Sequence, residues 1–173
     1  HHRDGNVDEA CWLVFLSIHC GKHVSKGWDM MTNIYGGENR EHIWSWERVS
    51  NDFETFDTWF RITGPNIERA FGNHRKYETL KPNHKRGLSR AVESYIKWVG
   101  DSHDALHRNA AQECDDQPKP MFDYLYRSMG SVISFGRTAI FDYLCMLGKV
   151  GIINIEPGMT YMSGATGPKK GSI

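Results

Sequence analysis

A chain of 173 residues, 39% hydrophobic with six Trp, carries enough apolar material for one core and is too apolar for global disorder. Its formal net charge is zero, so a face for a polyanion has to come from segregated charge rather than overall excess. The longest apolar run, Cys11 to Ile18, is too short to span a bilayer, and no small-residue cleavage site follows it to mark a signal peptide.

Asp8 before Glu9, Cys11, Trp12, Phe15 and Ile18 predicts a capped helix reaching about His23. A second helix is expected over Trp28 to Tyr35, stopped by Gly36-Gly37. Ile43, Trp44, Trp46, Val49, Phe53, Phe56, Trp59 and Phe60 recur at three- and four-residue steps, predicting one further helical region that Pro65 ends. Lys81 to Gly87 reads as a loop, and Leu88 to Val99 as an amphipathic helix closed by Gly100. The acidic stretch 101–120 has weak periodicity and reads as a mobile connection holding one short helix. Helices are expected again over Phe122 to Met129 and Thr138 to Gly148, separated by the turn Ser134-Phe135-Gly136-Arg137. Val150 to Ile155 is a short strand or extended chain, and the Gly-rich tail from Gly158 cannot be helical. The expected fold is mainly α, a single helical domain over 1–173 with a helix-hairpin-helix-like turn and an irregular Gly-rich C-terminal tail.

Four scattered cysteines, with no CxxC, read as reduced thiols in a cytoplasmic protein, Cys11, Cys20 and Cys145 as small buried hydrophobes. His19 and His23 stand at i, i+4, a spacing that can hold a metal on a helix. Two ligands are insufficient and no other cluster supplies the rest, so neither metal nor cofactor is expected, and the pair reads as helix-surface histidines.

The charges are segregated. Residues 66–100 hold eight Lys or Arg against three acids, whereas 101–123 hold six acids against two bases. The basic stretch is a candidate polyanion face, or else ordinary solvated helix surface. Within it, Asn73 and His74 are suited to reading a base edge, Arg75 and Lys76 to neutralising phosphates, and Tyr77 to stacking or to the core. The turn Gly136-Arg137-Thr138 opens a helix, where free backbone N–H groups and the positive dipole end receive phosphate. In the tail, Thr166, Gly167, Lys169 and Lys170 combine Gly-rich backbone donors with lysines, parts suited to a pyrophosphate, although a flexible tail has the same composition. Glu156, favoured, or Asp142 is the candidate carboxylate base; Asp142 is also placed to pair with Arg137.

Gly136-Arg137-Thr138-Ala139, a helix ending near Gly148, and Glu156 are similar to the helix-hairpin-helix DNA glycosylases, without their Leu-Pro-Gly opening. A broader resemblance runs through Asn6 to Trp12, Phe71 to Tyr77, Phe135 to Leu144 and Gly164 to Pro168. These segments resemble the alpha-glutamyl/putrescinyl thymine pyrophosphorylases, clade 3. That resemblance implies a phage-type enzyme of thymine hypermodification, in which an amine displaces pyrophosphate from a pyrophosphorylated hydroxymethyl pyrimidine in DNA. It implies modified DNA as partner, an amine co-substrate, and a base flipped from the stack. The alternatives are a glycosylase excising a modified base in defence against phage, and a non-catalytic module that recognises modified DNA or docks a protein.

Overall fold

The computed structural model describes residues 5–37, 43–72, 75 and 78–161. Helix α1 (Val7–Cys20) lies at its centre, packing against α2 (Asp29–Gly36), α3 (Trp46–Asn51), α6 (His103–Glu113) and α8 (Arg137–Lys149). No residue of α1 is fully exposed. A helix apolar on nearly every side has to be surrounded, and Trp12, Phe15 and Leu16 are completely buried. Its two polar residues near the start fasten neighbours. Glu9, 4% exposed, accepts hydrogen bonds from the Tyr35 hydroxyl (2.6 Å) and the Trp46 N–H (2.7 Å), tying α2 and α3 to α1. The N-cap is Asn6, whose Oδ1 accepts from the Glu9 N–H at 3.0 Å. Asp8, the cap expected from sequence, instead bonds the first residue of α6, whose N–H reaches it at 2.7 Å.

The aromatic-rich region 43–63 is two helices, not one. Asp52 ends α3 and starts α4 (Phe53–Thr63), its Oδ1 accepting from the Thr55 N–H at 3.1 Å. Pro65 lies in a 3₁₀ turn, Gly64–Asn66. Helix α5 (Leu88–Val99) spans the predicted residues, buries Leu88, Ala91, Val92, Tyr95 and Val99, and stops at Gly100.

The acidic stretch differs most from expectation. It contains α6, an 11-residue helix capped by Ser102 and packed on α1, and Pro118 already opens α7 (Pro118–Ser128). The anchors of α6 are His103 and Ala110, both completely buried, one polar and the other small. A second 3₁₀ turn, Met129–Ser131, leads toward α8, which packs against α7. Among the described residues there is no strand, only the isolated bridges His23 to Gly27 and Thr79 to Gly87. Residues 150–155 are turn and extended chain. No described helix is long and apolar enough to cross a membrane.

Candidate anion-binding site

The turn before α8 is held from two sides. The Ile133 N–H donates to Ser94 Oγ (2.8 Å), and Ser134 Oγ donates to the Arg86 carbonyl (2.9 Å). These bonds bring the end of the 81–87 loop beside the start of α8. The left-handed residue of the turn is Ser134, with φ 65°, whereas Gly136 is extended. Gly136 therefore matters for space: a Cβ there would meet no atom within 4 Å, so the approach to α8 is open. The N–H groups of Arg137, Thr138 and Ala139 have no partner inside the helix, and no side chain caps them.

Arg75 reaches the same place by a longer route. Gly72 donates its N–H to the Cys20 carbonyl at 2.9 Å, and a Cβ on Gly72 would come within 2.9 Å of the Gly21 backbone. Two backbones thus touch where α1 ends. The contact lets Arg75 Nε donate to the Ile18 carbonyl (2.6 Å), at the negative end of the α1 dipole, while Nη2 stands 3.3 Å from Asp142 Oδ2. Its side chain is only 10% exposed. Burial lowers the guanidinium pKa, and Asp142 and Glu78 act in the opposite direction. We expect Gly72→Ala to cost about 1–3 kcal/mol through overpacking. Loss of the Arg75 contacts should show as faster amide exchange at the end of α1, and unchanged exchange and stability would contradict this packing.

Arg75, Glu78, Arg86, Ser134 and the first residues of α8 enclose a cavity of about 380 Å³. Three arginines, Arg75, Arg86 and Arg137, are among its lining residues. Arg86 Nη2 lies 3.5 Å from Glu78 Oε1, and Arg137 Nη1 donates to the Tyr161 carbonyl at 3.2 Å. The second Glu78 oxygen is buried with no donor among the described residues. The arrangement is a hollow with excess positive charge, backbone donors at one wall and one buried carboxylate. Such a hollow can hold a polyvalent oxyanion through forked guanidinium bonds and helix N–H groups together.

Of the residues singled out from sequence, Arg75, Gly136, Arg137 and Thr138 line this cavity together, and Asp142 adjoins it through Arg75 rather than pairing with Arg137. Asn73, His74, Lys76, Tyr77, Thr166, Gly167, Lys169 and Lys170 lie outside the described residues. Glu156 is not in the lining. It stands at the start of α7, its N–H 3.5 Å from the Pro118 carbonyl and its carboxylate 3.7 Å from Lys119 Nζ. Its contacts are with the first residues of α7 rather than with the turn before α8. A glycosylase-like pairing of Glu156 with the turn therefore finds no support. Glu78 and Arg86 were visible in sequence only as two charges among many, because nothing local marks a residue that the fold sets beside the start of α8.

The histidine pair is separated. Helix α1 stops at Cys20, His23 sits in the following turn, and His19 is 1% exposed, against Phe15, Phe71 and Phe135. It is a core residue, not a surface one. Cys11 and Cys20 are buried as expected, burial pushing both thiols up to about 12, whereas Cys145 is only partly buried.

No characterised protein and no solved structure matches the chain. A family model described as alpha-glutamyl/putrescinyl thymine pyrophosphorylase clade 3 matches residues 1–173, the whole of it, and the chain belongs to that family.

Proposed function

We propose that this protein binds modified DNA and displaces pyrophosphate from a pyrophosphorylated hydroxymethyl pyrimidine with an amine, and that the cavity before α8 holds the pyrophosphate. The observation that carries the reading is the convergence of Arg75, Arg86 and Arg137 on the uncapped start of α8. As the carbon–oxygen bond breaks, negative charge builds on the leaving group. Donors already in place for that charge stabilise the transition state more than the ground state. Guanidiniums suit the task because their fixed forks match phosphate oxygens and stay charged. Asp142 takes the part of a positioning residue here, fixing the Arg75 fork from outside the cavity.

Calorimetric titration with inorganic pyrophosphate tests this. Arg86→Ala with Arg137→Ala should weaken binding by about 1.5–3 kcal/mol per lost charged contact, about a hundredfold or more overall. Lys149→Ala, at the opposite end of α8, should leave it unchanged. The same double variant should bind DNA less tightly and with a shallower salt dependence. Unaltered pyrophosphate binding in the double variant would remove the assignment. Mass spectrometry of nucleosides after incubation with phage DNA and an amine should find the amine-substituted base; base loss instead would mean a glycosylase.

A further inference from the structure

A second and larger hollow, about 560 Å³, adjoins the first, and among the described residues Glu78 is the one that lines both. Its walls include the apolar Ile67 and Leu80, and Arg69 and Lys81 add positive charge. The loop that forms it is built rather than slack. His84 N–H donates to the Lys81 carbonyl (3.1 Å) and Gly87 N–H to the His84 carbonyl (2.8 Å), and a Cβ on Gly87 would lie 2.7 Å from the Lys81 oxygen. Lys81 makes no ion pair among the described residues, and Arg69 donates to the Glu78 carbonyl at 3.0 Å. The side chain of Glu78 is 8% exposed, and its Oε2 is the buried oxygen without a donor. An ionised carboxylate accepts at both oxygens, so a buried one with a single partner is suited to a ligand's N–H.

We propose that this second hollow is the amine site, that Glu78 receives the ammonium group, and that the cationic wall selects an amine bearing a carboxylate, an α-amino acid, over a diamine. The inference rests on reading the first cavity as the pyrophosphate site. Displacement at a methylene needs the nucleophile on the side away from the departing oxygen, and hollows adjoining through one carboxylate suit that need. The ammonium gives a proton to Glu78. The freed lone pair forms the carbon–nitrogen bond as the carbon–oxygen bond breaks, and that bond's electron pair leaves on pyrophosphate toward the arginines. The product nitrogen keeps its two remaining protons as a secondary ammonium. The family description names both a glutamyl and a putrescinyl group, so the choice between amine classes is open to this chain. A diamine would set its second ammonium beside Arg69 and Lys81, where like charges repel, whereas an amino acid sets its carboxylate there.

The test is calorimetric titration of the full chain, with pyrophosphate present, using glutamate, glycine and 1,4-diaminobutane. Glutamate should bind at least about tenfold more tightly than the diamine, a difference the charge contrast can supply. Lys81→Gln should weaken glutamate several-fold without changing pyrophosphate binding, and Lys81→Glu should shift preference toward the diamine. Glu78→Gln should weaken every amine. Lys81 is exposed, so its variants keep the question answerable if the Glu78 variant unfolds. The proposal is overturned if the diamine binds as well as glutamate, if no amine binds the parent, or if both Lys81 variants keep the parent's preference. Failure of the parent to bind pyrophosphate would instead sink the reading of the first cavity, a separate result from loss of amine binding with pyrophosphate still bound.

Discussion

Acidification from pH 7 to pH 5 is expected to cost the fold about 2 kcal/mol through His19 alone, by proton linkage. Both of its ring nitrogens are buried without a hydrogen-bond partner, and burial, with Arg75 adding repulsion, pushes its pKa down to about 3. Above the ordinary histidine pKa of about 6.5 neither the folded nor the unfolded chain protonates it, so nothing is lost. Below that value the unfolded chain takes up the proton and the folded one does not, and stability falls until the pH nears 3. His107, lowered to about 4, and His103, lowered by burial against the pull of Asp8, act in the same direction. Asp8, held low chiefly by its hydrogen bond from His103, adds a loss at still lower pH, as its carboxylate is protonated. Urea denaturation across pH 7.5 to 4.5 would measure the slope. His19→Phe keeps a planar ring against Phe15 and Phe135 and removes the two unpaired nitrogens. It should leave stability at pH 7 within about 1.5 kcal/mol of the parent, in either direction, and flatten the acid slope. An acid slope identical to the parent's would show that His19 is not the protonation that matters.

The second large effect is expected at the buried chain of polar groups joining four helices. Asp8 Oδ1 on α1 accepts from His103 Nδ1 at 2.6 Å as well as from its backbone N–H, so Nε2 is left to accept from the Tyr95 hydroxyl on α5 at 2.7 Å. Tyr95 in turn meets the Tyr143 hydroxyl of α8 at 2.8 Å. His103, Tyr95 and Tyr143 are completely buried, where an unmade hydrogen bond cannot be replaced by water. His103→Ala takes a partner from the buried Tyr95 hydroxyl, leaves Asp8 only its backbone bond, and opens a hole beside Trp46, whose ring centroid lies 4.6 Å from the imidazole. We expect a loss of about 3–5 kcal/mol from the cavity and the orphaned partners combined. Tyr95→Phe should cost about 1–3 kcal/mol. Combining it with Tyr143→Phe should cost less than the two singly, because the second change removes a group the first had already orphaned. Equilibrium unfolding of the parent and the four variants decides it: strict additivity, or a loss under about 1 kcal/mol for His103→Ala, would dissolve the network as a source of stability.

How far each element could be read ahead of the structure follows from what marks it. Helix α5 was fully legible because its apolar residues recur at helical steps and Gly100 ends it. The stop of α2 at Gly37, with φ 68°, was equally plain. The break between α3 and α4 was hidden because aromatic spacing runs straight across Asp52, and only its side-chain bond to Thr55 shows where one helix ends. Helix α6 was read only as one short helix in a mobile connection because a histidine and an alanine hold it down. A periodicity of apolar residues cannot register a side chain that is buried through hydrogen bonds. At the candidate site Arg137 and Gly136 were legible from the local motif of a glycine before a helix. Glu78 and Arg86 were not, and Arg75 was read as a phosphate-neutralising cation with no sign that its side chain, 10% exposed, also anchors the end of α1.

By itself the amino-acid sequence determined the helical class, the main stops at glycine, the segregation of positive charge into 66–100 and the family to which the chain belongs, since each rests on local order or on runs of residues. Only the tertiary structure decided which charges share a cavity and which carboxylates face them. Arg75 and Arg137 are 62 residues apart in the chain and meet because Gly72 lets two backbones touch and Ser134 fastens the turn to Arg86. Coulomb energy depends on distance in space and on burial, and neither is written in the order of residues.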